Sequence, residues 1–113
     1  MLISNAFFVI LSLTSFDTQS LTQLIDNIGE SVTWTSPDRT ETLTKDQAID
    51  RLQDLITALG NVKVEVKHQS DWKNRKCYRV MQLTSNTDNY RIFYYCSLIN
   101  GQEVVDKIKV SKL

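Results

Sequence analysis

The stretch "TKDQAIDRLQDLITALG", residues 44–60, constrains the fold more than any other part of the chain, because one hydrophobic period ends at its glycine and another begins. Thr44 and Gln47 have the spacing of a capping box, in which the threonine hydroxyl accepts from the first turn and the glutamine reaches back to the Thr44 N–H. Ala48, Ile49, Leu52, Leu55, Ile56 and Leu59 then form one apolar stripe at helical spacing, and Gly60 suits a positive φ just past the helix end. Asp46, Asp50 and Asp54 fall on the opposite side, where a solvated face explains them better than a metal or catalytic site. After Gly60 the period drops to two: "VKVEVKH" alternates, with Val62, Val64, Val66 and His68 on one side.

Further strands are predicted at "SVTWTS", ended by Pro37, and at "KCYRVMQLT", "YRIFYYCSL" and "EVVDKIKV". Asn100-Gly101 between the last two is a strong hairpin signal, since both central residues of such a turn need positive φ. Upstream, Ser20 to Gly29 sets Leu21, Leu24, Ile25 and Ile28 at helical spacing, with Gly29 to stop the helix. The opening "MLISNAFFVILSLTSF" carries Ala6, Phe7, Ile10, Leu11 and Leu13 on one broad stripe. It has no basic residue ahead of the apolar run and no small-residue cleavage site behind it, so it reads as a core helix and the protein as cytoplasmic. Export is expected only if residues 1–15 act as a signal peptide. No apolar run approaches the roughly 20 residues of a membrane span. Helices first and an antiparallel sheet afterwards imply one α+β domain over residues 1–113, with helices packed on one sheet face.

Thirteen basic and thirteen acidic side chains cancel, which argues against a surface built throughout for nucleic acid or anionic lipid. The charges are nevertheless segregated. Residues 1–62 carry three basic against eight acidic side chains, and residues 63–79 six against two. A nucleic-acid site would use the basic 67–79 stretch, with Trp72 stacking a base and Lys73, Arg75, Lys76 and Arg79 meeting phosphates. It lacks a second aromatic on the same surface, and the acidic helices oppose it. One histidine and two separated cysteines make no zinc set, and nothing calls for a cofactor.

Registers follow from the turns. A two-residue turn at Asn100-Gly101 sets Leu98 opposite Glu103, Tyr95 opposite Asp106 and Phe93 opposite Ile108. Pairing Thr84 with Asn89 sets Val80 opposite Phe93, Tyr78 opposite Tyr95 and Cys77 opposite Cys96. One face then holds Tyr78, Val80, Phe93, Tyr95, Val104, Ile108 and Val110, extended by Val62, Val64 and Val66, and is expected to be the core. The other, with Met81, Ile92, Tyr94 and Val105, is too apolar for free solvation and is expected to bury itself in a homodimer. Without an export signal, Cys77 and Cys96 are expected to be buried thiols rather than a disulfide.

"TLTKDQAIDRLQDLI", "KVEVKHQSDWKNRKCYRVMQLTSNTDNYRIFYYC" and "VVDKIKV", in this order, resemble a small uncharacterised Bacteroidetes family of the nuclear transport factor 2-like superfamily, the cystatin-like cone. The resemblance covers nearly the whole chain and implies N-terminal helices over a curved antiparallel sheet. It further implies a ligand pocket between the helices and the concave face, where enzymes of the superfamily set a carboxylate, a tyrosine or a histidine. The matching positions here are Trp34, His68, Tyr78, Arg91, Tyr95 and Asp106. Asp106 is the candidate proton carrier and Tyr95 the candidate donor to an oxyanion; the plainer alternative has Asp106 meeting water or Arg91 at the open end of the sheet. The expected function is an unassigned cone-fold module that binds a small apolar ligand or a protein partner, as a homodimer. A small-molecule isomerase or dehydratase using Asp106 and Tyr95 is the alternative.

Overall fold

The capping box forms as the sequence requires. Gln47 N–H donates to Thr44 Oγ1 at 3.2 Å, and Thr44 N–H donates to Gln47 Oε1 at 3.0 Å. These bonds start a helix in the computed structural model, which describes residues 18–113. The helix expected over residues 6–13 lies outside them. Within the described residues the elements run α1 (Thr18–Asp26), β1 (Ile28–Ser36), β2 (Arg39–Thr44), α2 (Lys45–Leu59), β3 (Lys63–Gln69), β4 (Lys76–Thr84), β5 (Asn89–Ile99) and β6 (Gln102–Lys112). One six-stranded sheet has the order β2-β1-β6-β5-β4-β3. Neighbours are antiparallel except β1 and β6, which run parallel. Helix α2 lies against β1 and β2, and α1 against β3.

Two boundaries differ from expectation. Helix α1 ends at Asp26, and Ile28 and Gly29 open β1 instead, because Asn27 C=O accepts Val105 N–H at 2.7 Å and draws the chain onto β6. Gly29 serves this close approach: a Cβ there would stand 2.8 Å from Val104 Cγ1. Strand β2 was not expected at all. Its sequence, "RTETLT", offers Leu43 as its one buried apolar residue, as suits the edge of a sheet. The turn into it places Pro37 after Ser36, whose hydroxyl donates to the Asp38 carboxylate at 3.0 Å.

On β4 and β5 the two sheet faces are exchanged relative to expectation, whereas Val62, Val64, Ile108 and Val110 lie in the core as expected. Met81, Ile92 and Val105 are fully buried and Tyr94 is 2% exposed. They form one core with Leu21, Leu24, Leu52, Ile56, Leu83, Val62, Val64, Ile108 and Val110. The residues assigned to a dimer face therefore lie under the helices, on the inner face. The outer face carries Tyr78, Val80, Phe93 and Tyr95, of which Tyr78 and Tyr95 are 36% and 40% exposed. Fully burying one Leu, Ile or Met contributes about 1.5–3 kcal/mol, and the long aliphatic side chains are the ones turned inward. Tyr78 and Tyr95, whose polar ends water satisfies, take the outside, while Tyr94 is buried.

A bulge explains how residues from both predicted faces of β6 reach the core. The Asn100-Gly101 turn has the expected positive φ values, 52° and 78°, and Leu98 pairs with Glu103. Cys96 then pairs with Val105 but Tyr95 with Lys107, so Asp106 is an extra residue. Beyond it the phase is shifted: Tyr94 opposes Ile108 and Phe93 opposes Lys109, not Ile108. Val105, Ile108 and Val110 thereby all face inward.

Candidate functional site

The outer face is concave where the β3–β4 loop folds over it. A groove of about 610 Å³ is lined there by Tyr78, Tyr95, Ser97, Asp106, Lys107 and Lys76, among others. Its floor is set by pairing. Tyr78 and Tyr95 are cross-strand partners with ring centroids 6.0 Å apart and planes inclined by 37°. Next along the sheet, His68 has its ring 5.4 Å from that of Tyr78, and His68 Nε2 and the Tyr78 hydroxyl share a hydrogen bond of 3.2 Å. On the other side Lys107 Nζ stands 5.5 Å from the centre of the Tyr95 ring. The bulge brings Asp106 to the same surface, where its Oδ2 accepts from the Ser97 hydroxyl at 3.1 Å. The wall is fixed by Ser70, whose N–H donates to Tyr78 C=O and whose Oγ accepts from Tyr78 N–H, both at 2.9 Å.

Of the six residues proposed for a pocket, Tyr78, Tyr95 and Asp106 line this groove and His68 adjoins it through Tyr78. They meet on the outer face rather than under the helices. Trp34 does not join them: it is 5% exposed on the inner face, with the Arg51 guanidinium 5.9 Å from its ring. Arg51 in turn forks onto Glu41 at 2.6 and 3.0 Å. Arg91 lies farther along the outer face and donates to Gln82 Oε1 at 3.3 Å, so it does not reach Asp106. Asp106 faces Ser97, not the Tyr95 hydroxyl, and Tyr95 opposes Lys107. Sequence reasoning missed Ser97 and Lys107. Ser97 shares the Tyr95 face of β5 through its spacing of two, and Lys107 becomes visible once β6 is given one extra residue, a requirement signalled by the spacing of Val105, Ile108 and Val110.

The inner face has its own polar cluster. Arg79 forks onto Glu103 at 2.7 and 3.1 Å, Asn27 Nδ2 donates to Glu103 Oε2 at 3.4 Å, and Cys96 Sγ lies 3.3 Å from Arg79 and 3.5 Å from Glu103. Hydrogen bonds from Arg79 hold the Glu103 carboxyl below its ordinary range, and Glu103 holds the Arg79 guanidinium still more firmly charged. Burial pushes the Cys96 thiol up and the Tyr94 phenol up to about 12. A protonated thiol is a poor nucleophile, so this is a closed structural cluster. Cys77 and Cys96 are free, buried and directly opposed. No three His, Cys, Asp or Glu side chains gather as metal ligands among the described residues.

Residues 12–111 match the family described as "Domain of unknown function (DUF4783)". The chain belongs to the DUF4783 family. Its fold is shared with a DUF4783 protein from Bacteroides ovatus, with a TM-score of 0.70 at 18% identity over 81% of this chain and 83% of that one. A domain of unknown function with a cystatin-like fold from Nostoc punctiforme matches with a TM-score of 0.61 at 9% identity, over 79% and 62%. An NTF-2 like protein of unknown function from Shewanella oneidensis matches at 0.57 and 14%, over 77% and 78%. The DUF4783 chain thus has the cystatin-like, nuclear transport factor 2-like cone fold of these proteins. No curated protein matches it in sequence.

Proposed function

We propose that this DUF4783 chain is a non-enzymatic binding module that holds a small, largely apolar ligand in the outer groove, flat against Tyr78 and Tyr95. The observation that carries the reading is the pair of adjacent tyrosines left 36% and 40% exposed on the floor of a concavity of about 610 Å³. That volume is within the usual range for small-molecule sites, and exposed rings in a concave site supply contact area at low entropic cost. Proton transfer is less well supported. Asp106 is bonded to Ser97 and only half buried, and the neighbouring Tyr95 is open to water, so the dry, preorganised surroundings that acid–base catalysis uses are missing.

Titration of the isotopically labelled chain with 2-naphthamide, followed by amide chemical shifts, tests this. Shifts should concentrate at Tyr78, Tyr95, Ser97 and Lys107, and Tyr95→Ala should weaken binding by roughly tenfold, or about 1.4 kcal/mol. Shifts confined to the helices and Leu52 or Ile56 would overturn the reading, as would equal binding by Tyr95→Ala.

A further inference from the structure

Within the basic stretch singled out in the sequence, Lys73 and Lys76 are folded together into a clamp. Lys73 and Lys76 pair with each other across a two-residue turn: Lys73 N–H donates to Lys76 C=O at 2.9 Å and Lys76 N–H to Lys73 C=O at 3.0 Å. The turn is made by Asn74 and Arg75, both at positive φ, 53° and 62°. Directly opposed residues of an antiparallel pair leave the backbone on the same side, and both lysines line the groove.

This arrangement works against stability in two ways. Like charges directly opposed repel, and Arg75 occupies the left-handed region without being glycine. Arg75 C=O accepts Leu98 N–H at 2.9 Å, which ties the turn to β5 but leaves the charges unanswered. Lys73, Lys76 and Lys107 make no ion pair among the described residues, although Asp71 and Asp106 line the same groove and Asp106 is engaged by Ser97. Local strain and repulsion of this kind gather at ligand clamps, where the ligand relieves them. The third ammonium, Lys107, stands over the ring of Tyr95. Lysine binds phosphate or carboxylate as a point charge, without the fixed fork of arginine.

We infer that the ligand of the outer groove is a ring-bearing anion, its flat apolar part on Tyr78 and Tyr95 and its anionic group between Lys73 and Lys76. The inference rests on the groove being the binding site and adds the ligand's charge. Asp71 and Asp106 limit that charge, since a polyanion would meet two carboxylates.

Calorimetric titration with 2-naphthoate and its neutral counterpart 2-naphthamide separates the two levels. The intact chain should bind the naphthoate roughly tenfold more tightly. The double variant Lys73→Gln/Lys76→Gln, at two exposed positions, should remove that preference, so that it binds naphthoate and naphthamide equally. Added salt should weaken the naphthoate alone. Equal affinity of the intact chain for both probes overturns the inference and leaves the binding module standing. If neither probe binds, the groove reading fails and the inference with it.

Discussion

Tyr94 and Tyr95 are chain neighbours on opposite faces of one sheet, and what separates them is how the polar groups around each are satisfied. Tyr94 is buried beside Arg79, and that arginine is committed to Glu103, with Asn27 completing the carboxylate's shell. Tyr95 lies open beside Lys107 and Lys76, cations that no carboxylate answers among the described residues. Both faces are apolar enough to serve as a core. The inner one is closed by the helices and by partners from the fold itself; the outer one leaves aromatic surface and charge exposed among the described residues. A close balance of hydrophobicity between two faces is therefore a weak guide to which is buried, and the presence of charges with no partner on the same face is a better one.

The largest effect expected from this contrast is at neighbouring positions of β5. Ile92→Asp, or Met81→Lys, puts an unpaired charge in the core and should cost more than about 4 kcal/mol, enough to abolish the cooperative urea transition. Phe93→Asp, one residue away on the outer face, should cost only about 1 kcal/mol. A reversal of that order would exchange the faces again.

An intermediate effect is expected from the inner polar cluster. Glu103→Gln leaves the Arg79 guanidinium half buried with a weaker partner and should cost about 1–3 kcal/mol at neutral pH. Because the folded-state pKa of Glu103 is depressed, the stability it contributes is present above its unfolded value, about 4.3, and is lost as the pH falls through the lower folded value. Urea midpoints of the two proteins should therefore converge in acid; a difference independent of pH would show that packing, not charge, holds the cluster.

The smallest perturbation uses the inner thiols as reporters. In the native chain Cys77 and Cys96 should react with a thiol reagent only as fast as the core opens, whereas both should react at once in denaturant without reductant. A pair blocked even in denaturant would mean a cross-strand disulfide and a differently braced sheet.

What could be read from the sequence was local. The capping box, the Asn100-Gly101 turn and the Thr84–Asn89 pairing are fixed by residues near one another in the chain, and each forms. The choice of face was not local, because "CYRVM" and "IFYYC" alternate between two apolar sets that only the position of the helices distinguishes. The extra residue at Asp106 is likewise decided by β1 and β5 together, and it carried Lys107 to the groove while the sequence reading put Asp106 opposite Tyr95. Trp34 was read as a mouth residue because the Arg51–Glu41 lid that packs it inward begins on β2, a strand with almost no apolar pattern. Tyr78, Tyr95 and Asp106 were grouped correctly on one face, and that face turned out to be the open one.

The parallel pairing of β1 with β6 governs the order in which the molecule can be made. During synthesis the β1–β2 hairpin and α2 leave the ribosome well before their partner strand exists, with Val32, Trp34 and Leu52 unshielded. Closing the sheet waits for the last strand to be translated and then joins segments far apart in the chain, a topology that folds in milliseconds to seconds rather than microseconds. Through that interval the nascent chain presents a half-built core, with the apolar face of β1 waiting for β6.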